Sequence, residues 1–289
     1  MVDKGELTVK NKDIHIRDPY VLIHNGNYYM YGTRGANFGQ GTGGVDVYIG
    51  TDLENWSDPI QVFDSEKFGL NKQANWAPEV HKFGDKYYML ATFMKPDGLR
   101  GTYILASDKP EGEFVPLTGK AITPEGWECL DGTLYIEDDV PYCVFCHEHT
   151  QILDGTINYI QLSSDLKEAV TEPVEIFKAS SFCGKTEDED DHYITDGPFM
   201  YKKADGKLLM IWSTFVNGYA QCVAASDNGR ISGNWSHLPT IFDKDGGHGM
   251  IFSSLEGKLM LSLHRPNGQP DERPEFFEIR ETENSLEIV

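Results

Sequence analysis

The chain has 289 residues, and its 25 lysine and arginine residues stand against 46 aspartate and glutamate residues, a formal net charge of −21 at pH 7. So acidic a protein repels phosphate backbones, which argues against nucleic acid as a partner but not against a neutral glycan. No stretch approaches the roughly 18 apolar residues of a membrane span, and the polar first residues show no signal peptide. We therefore expect no membrane association, and a location that is cytoplasmic, or secreted if a signal was removed.

One sequence pattern occurs five times along the chain: an apolar run, a turn with Gly or Asp, and an aromatic-rich run. Such turns between such runs predict β-hairpins. After each hairpin one more short strand fits, and then a fourth, so each unit holds about four antiparallel strands. A generic β-sandwich is the alternative, but five matched units favour an all-β, five-bladed β-propeller that spans 1–289 as a single domain. The five turns fall near Gly26, Gly84, Asp139, Gly206 and Gly257.

Acidic residues begin the first strand of four of these five units. In a propeller blade the first strand runs along the axis and the second returns, so the start of the first and the end of the second lie at the same mouth. A turn aspartate caps only its neighbours, so convergence of several acids on one axis indicates a functional site. The residues that we expect at this mouth are Asp18, Glu79, Asp131 and Asp196, with His248 in the fifth unit.

Two carboxyl groups that flank a sugar bond are the minimum for glycoside hydrolysis. One must be neutral to protonate the leaving oxygen, and the other must be charged to activate water or attack carbon. Clustered acids raise one another's pKa, so one of them can stay protonated near neutral pH. Aromatic side chains can stack on sugar rings, and we expect Trp76, Phe38 and Phe93 to do so at the mouth.

Polar residues follow the second strands of the third and fifth units. We expect His147, Glu148, His264 and Arg265 to contact sugar hydroxyl groups. His147 and His149 would share one face of a strand, as two zinc ligands do, but the sequence offers no third ligand.

These motifs resemble those of glycoside hydrolase family 43, whose five-bladed propellers include β-xylosidases, α-L-arabinofuranosidases and arabinanases. The resemblance extends from about Ile14 to the C-terminus. The resemblance rests on the motifs Arg17-Asp18-Pro19-Tyr20-Val21, Trp76-Ala77-Pro78-Glu79-Val80, Asp131 with Asp138-Asp139 after it, and Gly247-His248-Gly249.

The resemblance implies a role for three of these residues. Asp18 would be the general base, and Asp131 would tune the pKa of the general acid. His248 would approach a structural Ca²⁺ or another cation on the axis, while the chemistry itself would require no cofactor.

The motif Thr195-Asp196-Gly197-Pro198 differs from the corresponding family motif, in which the general acid is normally a glutamate. Aspartate is one methylene shorter, about 1.5 Å of reach, which matters for proton transfer. Three interpretations stay open. Asp196 is the acid in a repositioned site, the acid comes from elsewhere, for example Glu148, or the protein binds sugar with little catalysis.

The leading hypothesis is thus a hydrolase of plant-type pentose glycans, α-L-arabinofuranosides or β-xylosides, that works by an inverting acid/base mechanism on an oligosaccharide or polysaccharide. The alternative is a catalytically silent propeller that binds glycans. A retaining fructosidase would carry an Asn-Asp-Pro-Asn-Gly motif, which the chain lacks. A phosphorylase would need a basic phosphate pocket, whereas the axial motifs here are acidic. The sequence carries no signal for an oligomeric state.

Overall fold

Five antiparallel sheets make up nearly all the regular structure of residues 7–35, 42–182 and 192–289, the parts of the chain that the computed structural model describes. In each sheet the main strands pair in chain order, so that each sheet is one blade. The prediction of a five-bladed propeller with four strands per blade is confirmed, with two extra short strands in the first blade. Across the described ranges no helix is long and apolar enough to cross a membrane.

The strands of blade 1 are β1 (Val9–Lys10), β2 (Ile16–His24), β3 (Asn27–Arg34), β4 (Val45–Gly50), β5 (Asn55–Trp56) and β6 (Ile60–Phe63). Those of blade 2 are β7 (Trp76–Phe83), β8 (Lys86–Met94), β9 (Arg100–Ser107) and β10 (Val115–Pro116). Blade 3 contains β11 (Cys129–Glu137), β12 (Val140–His147), β13 (Thr156–Gln161) and β14 (Val174–Lys178). Blade 4 contains β15 (Asp196–Lys202), β16 (Leu208–Phe215), β17 (Tyr219–Ser226) and β18 (Trp235–Phe242). Blade 5 contains β19 (Gly247–Ser253), β20 (Leu259–Arg265), β21 (Arg273–Glu281) and β22 (Leu286–Ile288). The helices in the described residues are α1 (His149–Ile152) and the 3₁₀ helices Asn11–Asp13, Glu66–Phe68 and Ala179–Ser181.

The five predicted turns all join the first and second strands of a blade. Asn25 and Gly26 both have positive φ, 48° and 72°, as the two central residues of a type I′ hairpin require. In blade 3, Asp138 and Asp139 take the same left-handed conformation, with φ of 50° and 64° and no glycine. Aspartate tolerates this region better than most residues, so the acidic pair serves as the turn.

The hydrophobic core lies between neighbouring blades. Both faces of an inner strand are covered, so its side chains are apolar on both sides rather than on alternate ones. At the boundary of blades 3 and 4, for example, Trp212 packs against Phe177 with ring centroids 5.1 Å apart. Each blade is therefore stabilised by its two neighbours.

Within the described ranges, the ring closes between blades 1 and 5 without a shared strand. β1 pairs with β5 inside blade 1, and blade 5 is built only from the C-terminal part of the chain. Side chains bridge the boundary instead: the Leu255 N–H donates to the Tyr28 hydroxyl over 2.8 Å, and the Ser262 hydroxyl donates to the Pro19 carbonyl over 2.7 Å. The Tyr28 and Phe252 rings meet edge to face at 6.2 Å.

The first strand of every blade carries a β-bulge near the mouth, where the register with the second strand shifts. One residue in each bulge has a positive φ between 46° and 56°. A bulge re-aims the side chain that it carries, so this position decides what points at the axis. The five residues at the position are Asp18, Ala77, Asp131, Gly197 and His248.

The amide of the bulge residue is bound in the same way in four blades. It donates to a side chain on the second strand of the preceding blade. The bonds run from Asp18 to His264 Nδ1 (3.2 Å), from Ala77 to Thr33 Oγ1 (2.7 Å), from Asp131 to Thr92 Oγ1 (3.0 Å) and from His248 to Ser213 Oγ (2.7 Å). In blade 4 the acceptor differs: the Gly197 N–H donates to Asp131 Oδ2 over 3.2 Å. The register places Cys146 where the other blades have the acceptor.

Candidate active site

A cavity of about 310 Å³ opens at the mouth where the five bulges meet. Its walls bring together six of the residues that the sequence singled out, which come from all five blades. These are Asp18, Trp76, Asp131, Glu148, Asp196 and His248.

His248 lies at the centre of the acids. Its Nδ1 is 3.1 Å from Asp18 Oδ1, 3.2 Å from Asp196 Oδ1 and 4.0 Å from Asp131 Oδ2. Burial by itself would lower the pKa of His248, but the three carboxylates raise that pKa well above its usual value. The ring is therefore an imidazolium at neutral pH, and it offsets part of the negative charge around it.

Asp18 is held as an anion. The Thr33 hydroxyl donates to its Oδ2 over 2.5 Å, and Nδ1 of His264 lies 3.3 Å from its Oδ1. Burial by itself would raise the pKa of Asp18, but the charges of His248 and Arg17 hold that pKa well below its usual range. An ionised carboxylate in a fixed position is what the activation of a water molecule needs.

Asp131 and Asp196 form a hydrogen-bonded pair of acids. Burial raises the pKa of Asp131 well above its usual value, and the charge of Asp196 raises it further. Burial would also raise the pKa of Asp196, but His248, Asp131 and the Tyr219 hydroxyl, which donates to Asp196 Oδ2, lower it instead. The proton of the pair therefore resides on Asp131.

Glu148 reaches the cavity from blade 3, directly after β12. Its Oε1 accepts a hydrogen bond from the His149 N–H over 2.9 Å, and its Oε2 lies 3.0 Å from Arg100 Nη2. Burial raises the pKa of Glu148 to about 7; the Arg100 guanidinium opposes this rise, whereas the charges of Asp196 and Glu128 add to it. This carboxyl group is thus close to half protonated at neutral pH.

The bulges correct one expectation, that four acids occupy equivalent places. Only Asp18 and Asp131 do. In blade 2 the equivalent residue is Ala77, and Glu79 lies outside the cavity with its Oε2 3.0 Å from His81 Nε2. In blade 4 it is Gly197, so Asp196 approaches the axis from the preceding position.

Two more of the expected sugar contacts are wrong. Phe93 and His264 are both 0% exposed: Phe93 packs in the core against Phe63 and Tyr103, and His264 lies behind Asp18. Neither side chain has a surface that a sugar could touch.

His147 and Arg265 lie outside the cavity. His147 stacks on Trp127 with ring centroids 4.1 Å apart, and Arg265 bonds to the Lys244 carbonyl. Phe38 falls outside the described residues.

Other residues of the cavity wall were not expected from the sequence. Arg17 donates to the backbone oxygen and to Oδ1 of Asn267, both over 2.7 Å. Tyr219 begins β17 and Arg100 begins β9, so third strands also contribute to the mouth. Arg17 stands inside the motif that contains Asp18, but no sequence pattern marks the starts of third strands.

Asp131, Asp196 and His248 could hold a metal ion, since each offers a ligand atom and these atoms lie within 4.8 Å of one another. Carboxylate oxygens suit Ca²⁺, but the His248 nitrogen that faces them carries a proton in the ion-paired arrangement. A cation at this place would have to displace that proton, because metal binds only the neutral ring.

The family model described as "Glycosyl hydrolases family 43" matches residues 13–282. The chain therefore belongs to this family, and the protein is a glycoside hydrolase. A comparison with curated proteins finds no match.

Solved structures agree with this assignment. An endo-arabinase from Bacteroides thetaiotaomicron VPI-5482 is 36% identical, with a TM-score of 0.89 over 97% of this chain and 100% of that one. An endo-1,4-beta-xylanase from the same organism is 24% identical, with a TM-score of 0.79 over 97% and 96%. A thermostable family-43 glycoside hydrolase is 23% identical, with a TM-score of 0.81 over 99% and 95%. The last two show the fold alone.

Proposed function

We propose that this protein hydrolyses α-L-arabinofuranosyl bonds in arabinan-type glycans, with inversion at the anomeric carbon and with Asp18 as the general base. The substrate rests on the 36% identity to the endo-arabinase, which extends over nearly the whole of both chains. β-Xylosides are the second substrate class, because the family resemblance includes enzymes that act on them.

One observation carries the mechanism: a single cavity contains a fixed carboxylate together with carboxyl groups that hold a proton. Asp18 has a lowered pKa, whereas Asp131 and Glu148 have raised ones. Environments that push the pKa values of neighbouring acids apart are how glycosidases divide the roles of base and acid.

In the proposed reaction Asp18 takes a proton from a water molecule, which attacks the anomeric carbon from the face opposite the leaving group. His248 and Thr33 fix the Asp18 carboxylate. Trp76 lines the cavity with the Arg100 guanidinium 5.2 Å from its ring centroid, and in this reaction the ring stacks on the sugar. The sequence assigned the proton donor to Asp196, with Glu148 as the alternative, and both line the cavity.

A cation would be held by Asp131, Asp196 and His248, and when bound it would supply positive charge at the axis. No step of the proposed reaction passes through it.

The test is hydrolysis of linear arabinan, arabino-oligosaccharides and xylo-oligosaccharides, followed by proton NMR of the first product. We expect release from arabinan and initial formation of the β-anomer, since an inverted α-arabinofuranoside gives a β-hemiacetal. Asp18→Asn serves as the inactive control. Initial formation of the α-anomer would contradict Asp18 as a base, and binding of arabinan without turnover would favour the silent glycan-binding alternative.

A further inference from the structure

We infer that Glu148, rather than Asp196, is the acid that protonates the leaving oxygen, and that Arg100 is the residue that positions it. This inference rests on the proposed function, because it names the proton donor of the same reaction.

Asp196 stands too close to Asp18. Oδ1 of Asp18 lies 3.1 Å and Oδ1 of Asp196 lies 3.2 Å from the same nitrogen of His248. The two oxygens are thus separated by no more than the sum of these distances. For these two facing oxygens, that upper limit lies just below the roughly 6.5–9.5 Å between the acid and the base of an inverting enzyme, which must fit a water molecule beside the sugar.

Both oxygens of Asp196 are also occupied by donors. The Tyr219 hydroxyl donates to Oδ2, and Oδ1 faces the His248 imidazolium. A carboxylate that has a donor on each oxygen is stabilised as an anion, which opposes its protonation.

Glu148 differs from Asp196 in its exposure and in its partners. Its side chain lines the cavity but is only 7% exposed, so its carboxyl group is largely shielded from water. The same burial gives it a pKa of about 7, which keeps a protonated population at neutral pH. It is ion-paired with Arg100 of blade 2, and among the described residues it shares no hydrogen-bond donor with the Asp18–His248–Asp196 group.

Arg100 fixes the orientation of this acid. Its Nη2 lies 3.0 Å from Glu148 Oε2 and 2.7 Å from Glu128 Oε1, and the guanidinium packs over Trp76. Held on several sides, Arg100 offers a rigid partner to one carboxyl oxygen while the His149 N–H holds the other. It also stabilises the carboxylate that remains once the proton has left.

The step balances as a hydrolysis. Glu148 gives its proton to the glycosidic oxygen, the bond from carbon to that oxygen breaks with its electron pair moving to the oxygen, and water adds to carbon as its proton passes to Asp18. Exchange with solvent then returns the proton from Asp18 to Glu148, so that one water is consumed and neither residue changes.

The experiment compares Glu148→Gln with Asp196→Asn in the full chain, on an arabino-oligosaccharide and on a dinitrophenyl arabinofuranoside whose leaving group needs no proton. We expect Glu148→Gln to slow the oligosaccharide reaction by roughly 10²–10⁴-fold and the aryl reaction far less. Asp196→Asn should slow both to a similar degree. The same change at the exposed Glu172, Glu172→Gln, is the matched control and should alter neither.

The opposite pattern, with leaving-group dependence in Asp196→Asn and equal losses in Glu148→Gln, would overturn the inference while leaving the function intact. A wild-type protein that cleaves neither arabinosides nor xylosides would overturn the proposed function itself. For Arg100 the readout is the pH profile: Arg100→Met should move the alkaline limb to higher pH, since its charge lowers the pKa of Glu148. A limb that stays in place would show that Arg100 is only structural.

Discussion

The backbone N–H of Gly197 donates a hydrogen bond to Oδ2 of Asp131 across the boundary between blades 3 and 4. In the other four blades the same amide binds a side chain of the preceding second strand. At the corresponding place in blade 3 stands Cys146, whose free buried thiol is a poor acceptor. The Gly197 N–H therefore binds Asp131 instead. Cys146, which takes no part in the reaction, thus helps to orient an acid of the active site.

Cys146→Ser should disturb this arrangement. The second strands of blades 1, 2 and 4 carry a hydroxyl acceptor at this position, namely Thr33, Thr92 and Ser213. A serine at position 146 would offer the Gly197 N–H the same kind of acceptor, so Asp131 would lose a hydrogen bond. The loss of about 1 kcal/mol corresponds to roughly a fivefold lower kcat with little change in KM. Cys222→Ser, another buried free thiol in the propeller core, is the matched control for stability. An unchanged kcat in Cys146→Ser would show that this bond does not orient Asp131.

Asp18→Asn should abolish activity without regard to the leaving group, because water must be activated on every substrate. We expect losses of roughly 10²–10⁴-fold on both an oligosaccharide and an aryl glycoside. Asp58→Asn, the same substitution at an exposed aspartate, is the control. A loss confined to natural substrates would instead give Asp18 the behaviour of an acid.

The pH dependence of kcat/KM should have its alkaline limb near neutrality. Glu148 must be protonated to act, and its pKa of about 7 means that activity falls as the pH rises through that value. Asp18 must be ionised, and because its pKa is lowered the acid limb should lie below the ordinary aspartate range. Rates on the arabino-oligosaccharide from pH 3 to 9 measure both limbs. In Glu148→Gln the residual activity should lose the alkaline limb, and its persistence would assign that limb to another group.

Asp196→Glu restores the residue that the family normally has. Asp196 is enclosed by Tyr219, His248 and Asp131, so a longer side chain must displace at least one of them. We expect at least a tenfold loss on both substrates, measured as kcat/KM. A gain in activity would identify Asp196 as a weakened acid and would contradict the role given to Glu148.

Tyr28→Phe should weaken the closure of the ring. It removes the hydrogen bond of the Leu255 N–H, at a cost of about 0.5–1.5 kcal/mol, and each kcal/mol corresponds to roughly 2–4 °C in Tm for a protein of this size class. Tyr88→Phe is the control, since its hydroxyl has no hydrogen bond to the described residues. Thermal melts that coincide for the two variants would show that closure does not depend on this bond.

The sequence predicts the five blades well because hairpin turns are local. Asn25-Gly26 and Asp138-Asp139 specify their turns by their own conformational preferences, without help from distant residues. Asp18, Asp131 and His248 were placed correctly at the axis because their blades share one bulge geometry.

The errors in the predicted site arise where a shift of one residue in strand register decides which side chain faces the cavity. The bulge in blade 2 brings Ala77 to the axial position and leaves Glu79 outside the cavity, because a shift of one residue sends a side chain to the opposite face. Phe93 is close to the end of β8 at the mouth, but its side chain points into the core. The pKa of Glu148 is raised by burial and lowered by the charge of Arg100, which is distant in sequence, so no local pattern could reveal it.

Among the residues that the structure describes, no strand is exchanged between blades 1 and 5, and the ladder of each blade is contained in a contiguous stretch of chain. The order of the blades along the gene is therefore separable from their order around the ring. A circular permutant that joins the present ends with a linker and begins between β10 and β11 would break no ladder and would still bring Asp18, Glu148 and His248 to one mouth. Such a rearranged protein would depend for its assembly on the contacts between blades, which include backbone bonds such as that from the Phe114 N–H to the Val62 carbonyl.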